Sequence, residues 1–184
     1  ERDLLRRGER DPDICTRVEL LRRESRRSGV DDEALRRIAR TAEQLQRLAR
    51  EHTIPVGAIQ TAAAGTIGAL LAAGYPDRIG QRREGGGGRY LLANGRGARF
   101  AGAVSLAQSP FIVAVELDDK DREARIDLAA PLTRAELDSV CAAHIETVED
   151  VAWDAKSGAV QAARVRRLDA LVLESRPLVS AAPE

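Results

Sequence analysis

The spacing of apolar positions along this 184-residue chain changes once, near Pro76. Upstream of it, Leu20, Leu21, Leu35, Ile38, Ala42, Leu45 and Leu48 form helical stripes between charged residues, which predicts surface helices with one buried face. Asp31, Asp32 and Glu33 suit the first turn of the second helix, and Arg47 and Arg50 suit its last, because acids favour the positive end of the helix dipole and bases the negative end. Thr61 to Gly74, rich in Ala with Ile67, Leu70 and Leu71, is apolar almost all round and predicts a helix central to a helical domain. Tyr75-Pro76 ends it, since Pro disfavours helical geometry in the residue before it.

Downstream, short apolar runs are separated by Gly, Asn and Asp. Arg78 to Arg83, Arg89 to Ala93, Ala98 to Ala101, Phe111 to Leu117 and Ala124 to Ala130 predict strands, with Asn94-Gly95 as a hairpin turn. Pro131-Leu132-Thr133 leads into a helix reaching about Ala143. Ile145 to Trp153, Ala159 to Arg167 and Ala170 to Glu174 predict further strands. Five short strands suit a small barrel of the oligonucleotide-binding (OB) type, leaving the last strands as an added meander. The expected fold is therefore α+β: a helical domain over 1–76, an OB-like barrel with its following helix over 77–143, and a β-meander extension over 144–184. Trp153 follows the alternation Val148, Val151 and is expected to anchor a core.

Composition narrows the function. Charged residues make up 32% and cancel to a net +0, so any basic surface must be local. Of 29 basic residues only Lys120 and Lys156 are lysines, which points to a compositional bias toward arginine and discounts arginine richness alone. No apolar run reaches the roughly 18 residues of a membrane span and no leader pattern opens the chain, so a cytoplasmic protein without a membrane partner is expected. Cys15 and Cys141 are far apart and, even with His52 and His144, leave a zinc site short of ligands; free thiols and no metal site are expected. The chain has no Met and starts at Glu1 inside a helical pattern, so we expect an excised piece of a longer protein.

The densest candidate chemistry lies between Arg78 and Arg99. Arg78, Arg82, Arg83, Arg89, Arg96 and Arg99 face a single acid, Glu84, in a stretch that also holds Tyr90 and Asn94. Phosphate binding needs cations that can approach a ligand backbone, and the glycines Gly85 to Gly88, Gly95 and Gly97 remove side chains that would hold it off. Tyr90 is expected to offer a stacking face. The same residues equally suit solvent-facing strands and a loose hairpin loop in an arginine-biased protein. The glycine run is not a phosphate loop, because no Lys-Ser/Thr follows and Arg89-Tyr90-Leu91-Leu92 is strand-like. No acidic strand motif for Mg²⁺ is present either, so no catalytic residue is assigned. Glu116, Asp118, Asp119, Asp121 and Glu123 read as a solvated turn rather than a Ca²⁺ loop. Arg22, Arg23, Arg26 and Arg27 read as a solvated helix face, and Arg164, Arg166 and Arg167 as a possible extension of a basic groove.

Tyr75-Pro76-Asp77-Arg78-Ile79-Gly80-Gln81-Arg82-Arg83 and Gly88-Arg89-Tyr90-Leu91-Leu92-Ala93-Asn94-Gly95-Arg96-Gly97-Ala98 resemble the HrpB family of bacterial DEAH-box ATP-dependent helicases. Arg125 to Leu132, Trp153-Asp154 with Gly158-Ala159-Val160, and Arg167 to Leu173 agree in order, as do Glu1-Arg2-Asp3 and Arg17 to Leu21. The resemblance implies that 1–76 is a helicase-associated helical domain, that 77–143 is an OB fold and that 144–184 begins a family-specific C-terminal region. It implies an accessory fragment that contacts single-stranded RNA beside its own motor domains, with ATP and Mg²⁺ bound by the parent protein and no cofactor in the fragment. Arg82, Arg83, Arg89, Tyr90, Asn94, Arg96 and Arg99 are then expected to border the RNA path. A protein-docking, regulatory role for the barrel or meander is the alternative. No oligomeric state is implied.

Overall fold

The computed structural model describes residues 11–23, 32–51, 66–85, 87–118, 120–154 and 158–178. Its elements run α1 (Ile14–Arg23), α2 (Asp32–Glu51), α3 (Ile67–Gly74), a 3-10 turn (Pro76–Arg78), β1 (Ile79–Arg82), β2 (Arg89–Leu92), β3 (Gly97–Phe100), a 3-10 turn (Ser105–Gln108), β4 (Phe111–Asp118), β5 (Ala124–Leu132), α4 (Arg134–Val140), β6 (Ile145–Asp154), β7 (Ala159–Leu168) and β8 (Leu171–Pro177). The first five strands close a barrel in the order β1-β2-β3-β5-β4, and β6-β7-β8 form a separate antiparallel sheet. The α+β architecture with an OB-like barrel and a meander is thus observed. Neighbouring barrel strands are antiparallel except β3 and β5, which run parallel.

The β1–β4 and β3–β5 pairings close the barrel, and strand β4 is apolar on both faces. On β4, Ile112 and Ala114 fill the barrel with Tyr90, Leu92, Ala98, Phe100 and Ile126. Phe111 and Val113 point outward to a second cluster with Ala72, Leu132, Leu137, Leu168 and Leu171. A strand buried on both faces reads as an unbroken apolar run, which is why Phe111 to Ala114 shows no alternation.

That outer cluster corrects one expectation. Helix α3 was expected at the centre of a helical domain, yet Ala72 packs against barrel residues and α4. The approach is so close that a Cβ on Gly68 would lie 2.0 Å from the Pro131 carbonyl oxygen. Residues 61–65 of the expected helix, and Asp31, Arg26 and Arg27, lie outside the described residues. Glu136 couples α3 to α4: one carboxylate oxygen accepts from the Thr66 hydroxyl at 2.6 Å, the other from the Thr133 amide and hydroxyl, both at 2.7 Å. Burial opposes ionisation of Glu136, but these hydrogen bonds outweigh it and hold the carboxyl below the ordinary glutamate value.

Helix α1 joins the barrel through its entry segment, where the Ala129 amide donates to the Pro12 carbonyl at 2.8 Å. Asp13 caps the helix by accepting from the Cys15 amide at 2.8 Å. Helix α2 buries Ala34, while Leu45 and Leu48 of its apolar stripe are exposed. The meander leans on the barrel through its β7–β8 turn, with Leu168 and Leu171 fully buried and the Ala170 amide donating to Ala93 O at 3.0 Å. Its far end corrects another expectation: Trp153, read as a core anchor, is 65% exposed.

Candidate nucleic-acid interface

Register across the barrel brings together arginines that are distant in sequence. Tyr90, Ala98, Ala124 and Ile126 point into the barrel, so Arg89, Arg99 and Arg125 alternate with them on the outer face. Arg89 pairs with Arg99 across β2–β3, and Arg99 pairs with Arg125 across β3–β5. Arg83 joins at the end of β1, its amide bonded to the Arg89 carbonyl at 2.9 Å. Like charges placed directly opposite destabilise a sheet, so such a row needs anions nearby.

Acids supply part of that need. Glu123 reaches Arg83 Nη1 and Arg89 Nε, each at 3.6 Å, and Arg125 is held by Asp127 at 2.9 Å and Asp118 at 3.2 Å. These carboxylates, Asp127 first, push the Arg125 guanidinium up from its ordinary value. Arg99 forms no ion pair among the described residues and stands exposed between its two paired neighbours. An open cleft of about 610 Å³ lies over the row, lined by Arg83, Gly97, Arg99, Asp121, Arg122 and Glu123. Its lining has three arginines and two carboxylates, so the excess charge is positive and local.

The expected site residues divide accordingly. Arg83 and Arg99 line the cleft, and Arg89 reaches its rim through Glu123. Arg96 is not part of the lining but donates to the carbonyl of Asp121, which is, at 3.4 Å. Arg82 turns instead to the barrel mouth and bonds Gln108 at 3.2 Å. Asn94 sits at the opposite turn, its side-chain oxygen accepting from the Arg96 amide at 3.0 Å, which shapes the hairpin. Arg78 stacks on Tyr75 and donates to Val115 O at 2.8 Å.

Tyr90 is a correction. Its ring is fully buried, edge-on to Phe100, and its hydroxyl donates to the carbonyls of Ser109 at 2.9 Å or Leu106 at 3.2 Å, so it offers no stacking face. Burial pushes its hydroxyl up to about 12, with Arg82 pulling the other way. Among the described acids of the 116–123 cluster, Glu123 is no solvated-turn residue but a partner of the arginine row; Asp119 lies outside the described residues.

The meander arginines do not extend the groove. Arg164 pairs with Glu149 at 3.1 Å, Arg167 with Glu146 at 3.6 Å, and Arg166 with Asp138 of α4 at 3.2 Å and Glu174 at 3.7 Å. Arg164 and Arg167 tie β7 to β6, and Arg166 ties the meander to α4. The sequence reading missed Arg122, Glu123 and Arg125 as site residues, and the interleaving of Lys120, Arg122 and Arg125 with the acids was the available signal.

Among the described residues no group of His, Cys, Asp and Glu is placed to hold a metal, and no helix is long and apolar enough to cross a membrane. Gly87 and Gly88 lead into strand β2 rather than into a helix N-terminus. Cys15 and Cys141 are free thiols. Burial, with Asp13 next, pushes Cys15 up to about 12, and burial followed by the Asp169 charge raises Cys141.

The meander and the chain as a whole are similar to known proteins. Residues 144–178, the span of β6 to β8, match the family described as ATP-dependent RNA helicase HrpB, connector region. The chain is 34% identical over 114 residues to the ATP-dependent RNA helicase HrpB of Escherichia coli strain K12, covering 61% of this chain and 14% of that protein. A crystal structure of the E. coli DExH-box NTPase HrpB superposes with a TM-score of 0.55 at 33% identity, over 63% of this chain and 14% of that one. A second, of the E. coli DEAH/RHA helicase HrpB, gives 0.54 at 28% identity over the same shares. The chain thus spans about one seventh of the length of the relatives it matches. Over residues 144–178 in the family match, and over about three fifths of its length in sequence and fold, this chain is similar to the HrpB helicases.

Proposed function

We propose that this chain is the accessory nucleic-acid-binding part of an ATP-dependent RNA helicase, and that its barrel holds the backbone of single-stranded RNA in the Arg83–Arg99 cleft. The carrying observation is the row Arg83, Arg89, Arg99 and Arg125 across adjacent strands, with Arg99 lacking a carboxylate partner among the described residues. OB barrels bind oligonucleotides on the β2–β3 face between the β1–β2 and β4–β5 loops, and the cleft lies there, an argument by fold analogy. Motor domains elsewhere in the parent protein bind ATP and Mg²⁺ and hydrolyse the nucleotide in the cytoplasm; this chain contributes contact. Single-stranded RNA binding, read by fluorescence anisotropy, is expected to weaken at least about tenfold in Arg83→Ala/Arg89→Ala/Arg99→Ala, because backbone contacts supply most nonspecific affinity. An unchanged affinity overturns the reading.

A second reading has its own support. The tip of the β6–β7 hairpin exposes Val151, Trp153 and Val160, with Trp153 directly opposite Val160 and all three on one face. An exposed apolar face with a tryptophan suits protein docking. In this role the meander engages the motor domains, and Trp153→Ser abolishes their capture while RNA binding persists.

A further inference from the structure

The position of Glu123 suggests a role that sequence alone does not. Its two carboxylate oxygens reach different arginines, Oε1 toward Arg83 and Oε2 toward Arg89. A phosphodiester also presents two charged oxygens, and it would meet the same guanidinium groups at the same place. We infer that Glu123 occupies the cleft as a stand-in for an RNA phosphate and must swing aside before a phosphate can bind, so this one side chain sets the affinity of the surface. The inference rests on the RNA-binding reading above and assigns its gatekeeping residue.

Three features support displacement. Both contacts are 3.6 Å, longer than the roughly 2.7–2.9 Å of a charge-assisted hydrogen bond, and the arginine side chains are 53% and 61% exposed. The contacts are therefore loose and open to solvent. Glu123 belongs to the connection between β4 and β5, outside either strand, so its movement breaks no strand pairing. Gly97 lies beneath it, where an added Cβ would stand 3.3 Å from Glu123 Cγ, so the carboxylate arm rests against bare backbone. A phosphate taking its place would meet Arg83 and Arg89 and, next in the row, Arg99, which has no ion pair among the described residues. Three cations then serve one anion where Glu123 now engages two.

The test compares Glu123→Gln with Asp121→Asn in the full 184-residue chain. Each removes one negative charge from the cleft lining, but only Glu123 contacts the arginine pair. The probe is a fluorescein-labelled single-stranded oligouridylate, read by anisotropy at low salt, with thermal unfolding to confirm the fold. Glu123→Gln is expected to bind about fivefold tighter, the factor equivalent to releasing one exposed ion pair. Asp121→Asn is expected to gain about twofold or less, the effect of a screened nearby charge. Glu123→Asp, which keeps the charge but is too short to span both arginines, falls between them and serves if the Gln variant unfolds. Equal gains in Glu123→Gln and Asp121→Asn overturn the inference in favour of net charge alone. Unchanged or weaker binding by Glu123→Gln, with the unsubstituted chain binding normally, overturns it while leaving RNA binding intact. Failure of both the unsubstituted chain and Glu123→Gln to bind overturns the RNA-binding reading and the inference together.

Discussion

Two regions of this molecule are similarly rich in arginine and differ in what the folded chain does with the charge. On the meander, Arg164, Arg166 and Arg167 each meet a carboxylate on a neighbouring strand or on α4. On the barrel, Arg83, Arg89, Arg99 and Arg125 line up side by side, share the acids available and leave Arg99 without one among the described residues. Arginine density therefore does not separate the two surfaces. The distribution of acids through the strand register does, and the proposed RNA-binding role rests on that difference.

The strongest challenge to this comparison acts on the frame common to both regions. Gly68→Ala would drive a methyl into the Pro131 carbonyl and force α3 off the barrel, costing about 3 kcal/mol or more. Chemical denaturation should show this as the largest stability loss of any single substitution discussed here, and an effect under 1 kcal/mol would mean that α3 does not clamp β5.

Arg166→Ala is next. It removes the side chain that joins Asp138 of α4 to Glu174 of β8, and should destabilise the chain by about 1–2 kcal/mol with unchanged RNA affinity. A loss of RNA affinity without loss of stability would move the meander arginines into the binding surface.

Glu136→Gln should cost about 1 kcal/mol at neutral pH, because it weakens the acceptor shared by the α3 and α4 caps. Since the folded carboxyl lies below its ordinary value, its stabilisation is complete above the unfolded value and is lost as the pH falls through the folded one. The Tm difference between the two proteins should therefore shrink on acidification, and a difference that grows would contradict the assignment. The smallest expected effect is that of Trp153→Ser, within about 0.5 kcal/mol, because the ring is exposed. A larger loss would show that Trp153 supports the hairpin after all.

The fold was legible in the sequence where periodicity decides it. The change of spacing after Pro76 and the turn at Asn94-Gly95 located the strands to within a few residues, and the resemblance read at Arg167 to Leu173 falls within the 144–178 match to the HrpB connector region. The two aromatics came out reversed. Alternation around Trp153 correctly marked a shared face with Val151, but alternation cannot say whether anything covers that face. Tyr90 lies in Arg89-Tyr90-Leu91-Leu92, where charge on one side and apolar residues on the other leave its direction ambiguous until the barrel closes. Arg125 escaped notice because it meets Arg99 only through the parallel β3–β5 pairing, a non-local contact with no local spacing signal. Arg82 and Asn94 were grouped with the site by sequence proximity, and strand direction separates them from it.

The central claim is that charge left over in the barrel row, and not arginine content, binds RNA. Its most direct test is the salt dependence of single-stranded RNA binding in two variants, Arg83→Ala/Arg89→Ala/Arg99→Ala on the barrel, which removes three positive charges, and Arg164→Ala/Arg167→Ala on the meander, which removes two. The slope of log affinity against log salt should fall by about two units in the barrel variant, at roughly 0.7 per lost phosphate contact, and stay within error in the meander variant. Equal slopes in the two variants would contradict the account.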